Sequence, residues 1–117
     1  MKKESQLLQL LDCGIVAVIR SPDSQQLVEA ARALTEGGVT VVEITMSVPD
    51  ALDVLRQVRR ALGDRLLLGA GTVLDPETAR AALLAGAEYL VTPTVNLDVI
   101  RLCRRYDKLM LPGAFTP

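Results

Sequence analysis

Short apolar runs recur along this chain at a regular interval, and that repeat restricts the possible folds more than any single residue does. The interval is roughly 20 to 26 residues, the period of a strand followed by a helix. Because strand–helix–strand units cross over in a right-handed sense, the repeat predicts a parallel sheet. The five predicted strands cover residues 15–19, 39–45, 66–68, 88–92 and 109–111.

Apolar residues at helical spacing fill the gaps between the predicted strands. A short amphipathic helix is also predicted before the first strand, around Leu7 to Leu11. Each of the four later helices has its own start signal. These signals are Ser21-Pro22-Asp23 with proline early in the helix, the capping-box variant from Ser47 to Asp50, the N-cap Asp75 and the N-cap Asn96.

Residues 1–117 are therefore predicted to form a single domain, an N-terminal helix followed by a (βα)4β unit. Two α/β architectures accept it: about the first half of a parallel (β/α)8 TIM-type barrel, or a flavodoxin-like open parallel sheet. The segment Phe115-Thr116-Pro117 resembles a loop leading into another helix, and the fifth strand has no helix after it. This favours the half-barrel. We expect a fragment of a longer protein, or a chain that pairs with another copy or with the missing half.

Composition excludes several classes of function. Hydrophobic residues make up 50% of the chain and charged residues 23%, which is typical of a compact domain. The net charge is -1 without a long run of one sign, so we expect no nucleic-acid partner and no anionic membrane surface. No apolar run is long enough to span a bilayer. Cys13 and Cys103 lack a metal-ligand spacing, which predicts reduced thiols in a cytoplasmic protein.

The absence of histidine leaves acid–base chemistry to Asp, Glu, Lys, Tyr or water. Glu43 is the notable candidate, because a carboxylate inside an apolar strand is costly unless it has partners or a chemical role. Strand alternation places Glu43 and Thr45 on one face of the second strand. Active sites of parallel α/β folds lie at the carboxyl ends of the strands. The other candidates at those ends are Arg20, Thr72 and Pro93.

Each candidate also has a purely structural interpretation. Glu43 could be an ion-pair partner of Arg20, and Thr72 could cap the turn that follows it. The segment Gly69-Ala70-Gly71 lacks the spacing of a dinucleotide or phosphate loop, so its glycines predict only a close approach of backbones. The basic residues of the fourth later helix are predicted to form a solvated face; they are Arg101, Arg104 and Arg105.

Several motifs, taken in order, resemble one known family. They are Ile15-Val16-Ala17-Val18-Ile19-Arg20, Val42-Glu43-Ile44-Thr45, Gly69-Ala70-Gly71-Thr72-Val73, Val91-Thr92-Pro93 and Leu111-Pro112-Gly113. The chain resembles the class I aldolases that act on 2-keto-3-deoxy-6-phosphogluconate and 4-hydroxy-2-oxoglutarate. The resemblance implies a (β/α)8 barrel, a homotrimer, and cleavage to pyruvate and an aldehyde through a lysine Schiff base, with no cofactor and no metal.

The resemblance also implies roles for the candidate residues. Glu43 would shuttle protons through water, and Thr72 and Pro93 would line the pyruvate end of the pocket, with Thr45 beside them. Arg20 would help to hold the anionic end of a 2-keto acid substrate. Some members carry a second arginine where this chain has Ser47. The resemblance does not separate gluconate-derived from galactonate-derived substrates, which differ at one stereocentre.

The family's Schiff-base lysine lies on the sixth strand, and none of this chain's lysines matches it. They are Lys2, Lys3 and Lys108, and Lys108 is predicted at the opposite end of the fifth strand. We therefore expect the 117 residues alone to be inactive. Two alternatives stay open: an inactive half-barrel that serves as a folding or assembly module, and a flavodoxin-like domain that binds an anion or nucleotide near Gly69.

Overall fold

The computed structural model describes residues 2–117, which form one parallel sheet with helices between its strands. In chain order the elements are α1 (Lys2–Cys13), β1 (Ala17–Ile19), α2 (Ser24–Glu36), β2 (Val41–Thr45), α3 (Ala51–Leu62), a 3-10 turn (Gly63–Arg65), β3 (Leu67–Gly71), α4 (Pro76–Ala85), β4 (Tyr89–Thr92), α5 (Leu97–Arg105) and β5 (Leu109–Pro112). The predicted helix-plus-(βα)4β pattern is thus the observed order.

The strands lie side by side in chain order, β1-β2-β3-β4-β5, and every neighbouring pair is parallel. The predicted parallel sheet is confirmed. A flavodoxin-like sheet has the order 2-1-3-4-5, with its first strand inside the sheet. The flavodoxin-like alternative is therefore wrong, because β1 is at one edge. Within residues 2–117 the sheet is open, since β1 pairs only with β2 and β5 only with β4.

The two faces of the sheet are covered differently. On the outer face, α2 to α5 pack against strand residues such as Val42, Ile44 and Leu68 in the larger apolar core. Winding in one direction puts all four crossover helices on that side. The opposite side, which we call the inner face, holds a smaller cluster of four residues. Its members are Val41, Leu67, Tyr89 and Leu109.

Helix α1 covers one end of the inner face. Leu10 and Cys13 of α1 pack against the smaller cluster, whose members are the first residues of their strands. The helix therefore lies at the amino ends of the strands and leaves the carboxyl ends open. None of the helices in residues 2–117 is both long and apolar enough to cross a membrane.

Of the four predicted helix-start signals, two agree with the structure in detail and two do not. Asp75 and Asn96 cap α4 and α5 through their side chains, as predicted. The proline of the first signal lies before the helix, because Asp23 is the N-cap. The predicted capping box at Ser47 and Asp50 is wrong. Asp50 has a left-handed backbone (φ 54°) and makes no capping bond, while the Ser47 hydroxyl bonds instead to Thr45.

Strand boundaries differ by a few residues from the predicted ones. β1 begins at Ala17 rather than residue 15, and β4 begins at Tyr89 rather than 88. β3 runs on through Gly71, although glycine is a poor strand former. These glycines are retained in the strand because its neighbours pair with them: Gly69 is the register partner of Glu43, and Gly71 that of Thr45.

Candidate active site at the carboxyl ends of the strands

Glu43 lies in the middle of β2 on the inner face, with Val18 and Gly69 as its register partners. Its exposure is only 7%, which is low for a carboxylate. The side chain leans along the sheet toward the carboxyl end of β3. A methyl group added at Gly71 would overlap the Glu43 Oε2 atom. Gly71 therefore provides the space in which the carboxylate lies.

The surroundings of Glu43 favour its neutral form. Burial raises the pKa of the Glu43 carboxyl above its ordinary value, and the positive charge of Arg20 offsets only part of this rise. Among the ion pairs formed within residues 2–117, none involves Glu43 at 4.0 Å or less. Arg20 therefore influences Glu43 through space, and the interpretation of Glu43 as its direct ion-pair partner is not supported.

Two hydroxyl groups meet just beyond Glu43 at the end of β2. Thr45 is fully buried, and its Oγ1 atom lies 2.8 Å from Ser47 Oγ. Ser47 is exposed and borders two cavities at this edge of the sheet. One, of about 290 Å³, is lined by Arg20, and the other, of about 680 Å³, is lined by Thr72. Ser47 thus borders both the cavity lined by Arg20 and the cavity lined by Thr72.

Thr72 occupies a strained position at the end of β3. Its φ is 55°, which is unfavourable for a β-branched residue. Strain of this kind costs about 1–3 kcal/mol and is retained when the surrounding structure enforces it, most often at functional sites. The Thr72 side chain lies beside the larger cavity with Met46 and Asp75.

Pro93 lies farther along the same edge, after β4. It is exposed, and Gly113 packs against it, since an added Cβ at Gly113 would lie 2.7 Å from the Pro93 carbonyl oxygen. Gly113 also donates a backbone hydrogen bond to Thr92 O at 2.9 Å. The ends of β4 and β5 are thus held together. Pro93 borders neither the Arg20 cavity nor the Thr72 cavity.

Tyr89 is an inner-face residue that the sequence did not single out. Its side chain is fully buried, and its hydroxyl donates to Val42 O at 3.1 Å. The ring lies directly over Gly69, where an added methyl group would overlap it. Burial and the charge of Glu43 raise the pKa of the Tyr89 phenol far above its ordinary value, so the group stays protonated. Strand alternation from Val91 would have identified its face, but nothing in the sequence marks its contact with Gly69.

Lys108 lies at the opposite end of the strands, as predicted. Its Nζ atom bonds to Glu88 Oε2 at 2.9 Å. Glu88 is buried just before β4 and also accepts from Gln6 Nε2 of α1 at 3.0 Å, with Arg59 NH2 3.3 Å from its other oxygen. Burial alone would raise the pKa of Glu88, but the bonds from Lys108 and Gln6 and the nearby ammonium charges together lower it. Lys108 is therefore occupied in a charge cluster far from the candidate site.

Metal binding has no preformed site in residues 2–117, because no three Asp, Glu or Cys side chains converge there. The three predicted surface arginines of α5, Arg101, Arg104 and Arg105, are all exposed. The candidate site in this part of the chain thus consists of a buried carboxylate, hydroxyls and an arginine at the carboxyl ends of the strands; Glu43 itself lines neither of the two cavities beside Ser47. Such a set can transfer protons and hold an anionic group.

Comparison with known proteins identifies one family whose sequences match most of this chain. The family model "Aldolase: KDPG and KHG aldolase" matches residues 8–117. The 2-dehydro-3-deoxy-phosphogluconate aldolase of Pseudomonas aeruginosa is 36% identical over 102 residues, which cover 87% of this chain and 46% of that protein.

Solved structures agree with this match. The 4-hydroxy-2-oxoglutarate/2-dehydro-3-deoxyphosphogluconate aldolase from TTHB1 is 37% identical with a TM-score of 0.76, covering 87% of this chain and 50% of that one. A KDPG aldolase from Legionella pneumophila, with pyruvate captured at low pH as a covalent carbinolamine, is 25% identical with a TM-score of 0.72 over 86% and 48%. The chain spans about half the length of the relatives it matches.

Proposed function

The chain belongs to the KDPG and KHG aldolase family, and on this premise we propose that it is the proton-transfer half of a class I aldolase. The complete enzyme cleaves 2-keto-3-deoxy-6-phosphogluconate, 4-hydroxy-2-oxoglutarate or both to pyruvate and an aldehyde. The observation that carries this proposal is Glu43, buried next to Gly71 with a raised pKa at the carboxyl ends of the strands. A carboxylate used as an acid and a base works best with a pKa moved toward the operating pH.

The proposed chemistry begins with a lysine outside these 117 residues. Its amine attacks the C2 carbonyl of the keto acid, water leaves, and a protonated imine forms. Glu43, acting through a water molecule, takes the proton of the C4 hydroxyl. The C3–C4 bond then breaks, the aldehyde leaves, and the bonding electrons move into the imine nitrogen as an enamine. Glu43 returns the proton to C3, and hydrolysis of the imine releases pyruvate.

Arg20, Thr45, Thr72 and Pro93, at the carboxyl ends of the strands, form what we call the rim. These residues have binding roles in this proposal. Arg20 holds the anionic end of the substrate from the smaller cavity. Thr45 and Thr72 offer hydroxyls to the carboxylate or carbonyl of the pyruvate portion, and Pro93 lines the pyruvate end of the pocket in the complete enzyme. The complete protein forms a (β/α)8 barrel and a homotrimer. The five-stranded sheet in chain order supports the barrel, because such a sheet can continue to further strands at β5.

The positions of this chain's three lysines support a Schiff-base lysine outside these 117 residues. Lys108 is bound by Glu88 at the amino ends of the strands, away from Glu43. Lys2 belongs to the same cluster, with its Nζ atom 3.6 Å from Glu88 Oε1. Lys3 lies on α1, which covers the amino ends. A Schiff-base lysine needs an unprotonated amine in a desolvated pocket. None of the three lies near Glu43 at the carboxyl ends of the strands.

Borohydride trapping tests the proposal. The 117-residue chain alone and a chimera joining it to the second half of a KDPG aldolase are each incubated with pyruvate and reduced. We expect one reduced pyruvate adduct on the chimera, mapped by peptide mass to a lysine of the added half, and none on the chain alone. No adduct on a folded chimera would overturn the imine chemistry.

A matched variant separates imine formation from proton transfer. In the same chimera, E43Q keeps the size of the side chain but removes its acid–base function. We expect E43Q to retain borohydride trapping and to lose the exchange of pyruvate methyl protons with deuterated water, measured by proton NMR. Unchanged exchange in E43Q would remove Glu43 from the mechanism.

A second candidate function is an inactive half-barrel that serves as a folding or assembly module. It is favoured by the inner-face residue Val18, which is 47% exposed on edge strand β1. This hypothesis expects defined oligomers of the 117-residue chain and no turnover by the chimera. The trapping experiment and sedimentation of the chain alone distinguish the two candidates.

A further inference from the structure

At the centre of the inner face, the side chains of Tyr89 and Glu43 lie over two glycines of β3. Gly69 and Gly71 are successive inner-face positions of β3, and each leaves a notch that a Cβ would fill. The Tyr89 ring fills the notch at Gly69, and the Glu43 carboxylate fills the notch at Gly71. Yet Gly69, not Gly71, is the register partner of Glu43. Glu43 therefore leans one residue pair toward the carboxyl end instead of lying across from its own partner.

The fixed position of the Tyr89 ring explains this displacement. The ring is fully buried above Gly69, and its hydroxyl is anchored to Val42 O at 3.1 Å. With the lower notch occupied, the upper notch at Gly71 is the space left for the carboxylate. The rim at which Arg20, Thr45 and Thr72 lie is on that upper side.

We propose that Tyr89 is a positioning residue for Glu43: its ring blocks the notch at Gly69 and so holds the Glu43 carboxylate at Gly71, facing the substrate rim. This inference rests on the proposed role of Glu43 in proton transfer. A displacement of about 1 Å in a reacting group can cost roughly a hundredfold in rate. A carboxylate that drops into the lower notch moves away from the rim by about the spacing of two residues in a strand, which is several times larger.

The ring also keeps water from the carboxylate. In a Y89A chain the notch at Gly69 admits the Glu43 carboxylate, and the rest of the space left by the ring holds a water molecule with the carboxylate and the Val42 carbonyl as polar partners. The charged or titratable groups that face Glu43 are Arg20 at the end of β1 and Tyr89 on β4. β3 presents glycines there, and β5 presents Leu109 and Leu111. α1 adds Cys13 at the amino ends.

NMR on the 117-residue chain tests the inference without any lysine chemistry. Glu43 is followed through its carboxyl carbon during a pH titration in wild type, Y89A and Y89F. We expect Y89A to lower the Glu43 titration midpoint toward the ordinary value of 4.5, because water enters the notch, and Y89F to leave it unchanged, because the ring stays. A folded Y89A chain with the wild-type midpoint would overturn the inference, and so would a Y89F chain that shifts as far as Y89A.

Tyr106 supplies the control. It is the second tyrosine of the chain, packs against the outer core and accepts a bond from Arg80 Nε at 2.9 Å. Y106A removes an equal ring away from the inner face, and we expect the wild-type Glu43 midpoint. If Y89A does not fold, nuclear Overhauser contacts in the wild-type chain decide. Contacts from the Glu43 γ protons to Gly71 and from the Tyr89 ring to Gly69 are expected, and Glu43 contacts to Gly69 instead would overturn the inference.

Kinetics in the chimera then separate positioning from general stability. We expect Y89A to lower kcat about tenfold or more with little change in KM, since the base moves while the binding groups stay. We expect Y89F, which keeps the ring but loses its bond to Val42 O, to lower kcat less than Y89A does, and Y106A to keep the wild-type kcat. Failure of borohydride trapping would overturn the proposed lyase chemistry but not the NMR result. A normal trapping result with an unshifted Y89A midpoint would overturn only the role of Tyr89.

Discussion

At the scale of single residues, Gly71 matters because of what it leaves out. Its missing side chain is the space that the Glu43 carboxylate occupies on the inner face. Glycine in a strand interior lowers the stability of the strand. At Gly71 this loss is accompanied by space for the buried Glu43 carboxylate. The same holds at Gly69, where the room is taken by Tyr89.

We expect G71A to destabilise the chain by about 1–3 kcal/mol, because the added methyl group overlaps Glu43 and forces the core to shift. Urea unfolding followed by circular dichroism measures the change. G37A is the control: Gly37 ends α2 with a negative φ of -81°, and an added Cβ would lie 3.4 Å from Ala33 O, an ordinary contact. Equal stability of G71A and wild type would show that the notch is not needed.

The raised pKa of Glu43 predicts a pH dependence of stability with a definite sign. The folded state holds the Glu43 proton more tightly than the unfolded state, whose pKa is near 4.5. Ionising Glu43 therefore costs stability as pH rises above 4.5, and the cost is complete above the folded pKa. We expect the free energy of unfolding of E43Q to exceed that of wild type at pH 7 and to approach it near pH 4. Parallel pH profiles for the two proteins would contradict this.

At the scale of elements, one buried carboxylate ties α1 to the body of the sheet. Glu88 accepts from Gln6 of α1 and from Lys108 before β5, and it pairs with Arg59 of α3. These partners lie at the amino ends of the strands. In barrel folds that end contributes stability, whereas the carboxyl end carries chemistry. The Glu88 cluster therefore lies at the end of the sheet opposite the candidate site, where its expected role is to stabilise the fold.

We expect E88Q to cost about 1–3 kcal/mol, because it leaves partly buried cations without their carboxylate. Hydrogen exchange should show the loss first in the amides of α1. The lowered pKa of Glu88 means that its contribution is present near neutral pH and is lost as pH falls through the folded pKa. E29Q is the control, since Glu29 is 59% exposed and 3.9 Å from Arg32. A change in E29Q as large as in E88Q would argue against a special cluster.

The helix starts allow a test of capping. Asn96 accepts from the backbone N–H groups of Asp98 and Val99, each at 3.1 Å, and donates to Leu74 O at 3.3 Å. We expect N96A to lower stability by about 1–2 kcal/mol. D50N should change it by less than about 0.5 kcal/mol, because Asp50 makes no capping bond and asparagine tolerates its left-handed backbone. Thermal unfolding of both variants checks the difference.

At the scale of the whole molecule, the least protected part of the sheet within residues 2–117 is its edge at β1. Helices α2 to α5 cover the outer core, while inner-face residue Val18 is 47% exposed. Each edge strand also has one unpaired side within the described residues. Open edges next to exposed apolar surface favour association with another chain.

We therefore expect the 117-residue chain alone to self-associate as its concentration rises, measured by sedimentation velocity. V18K places a charge on the edge and inner face of β1 and should reduce the association without unfolding the chain. R101K, on the exposed face of α5, is the control and should associate like wild type. A cooperatively melting monomer of 12.6 kDa at every concentration would contradict the half-barrel interpretation.

The sequence predicted much of the fold because periodicity reports local structure. Apolar spacing identified every helix and strand in order, and chain direction with right-handed crossovers predicted the parallel sheet. It misplaced the capping box at Ser47, because a hydroxyl near a helix start can find a different partner, here Thr45. It predicted Glu43 and the rim positions of Arg20, Thr45, Thr72 and Pro93, since strand ends in parallel sheets share one edge.

Strand order and side-chain packing needed the tertiary structure. Both candidate architectures share the (βα)4β pattern, and only the observed order, with β1 at the edge, excluded the flavodoxin-like sheet. Likewise, Glu43 and Tyr89 are 46 positions apart (89 − 43) in the sequence, and no local pattern relates them. They meet because β3 lies between their strands with glycines at both inner-face positions. By itself, the sequence determined which residues reach the inner face, because strand alternation is local; only the fold decided which notch each one fills, because that depends on contacts across strands.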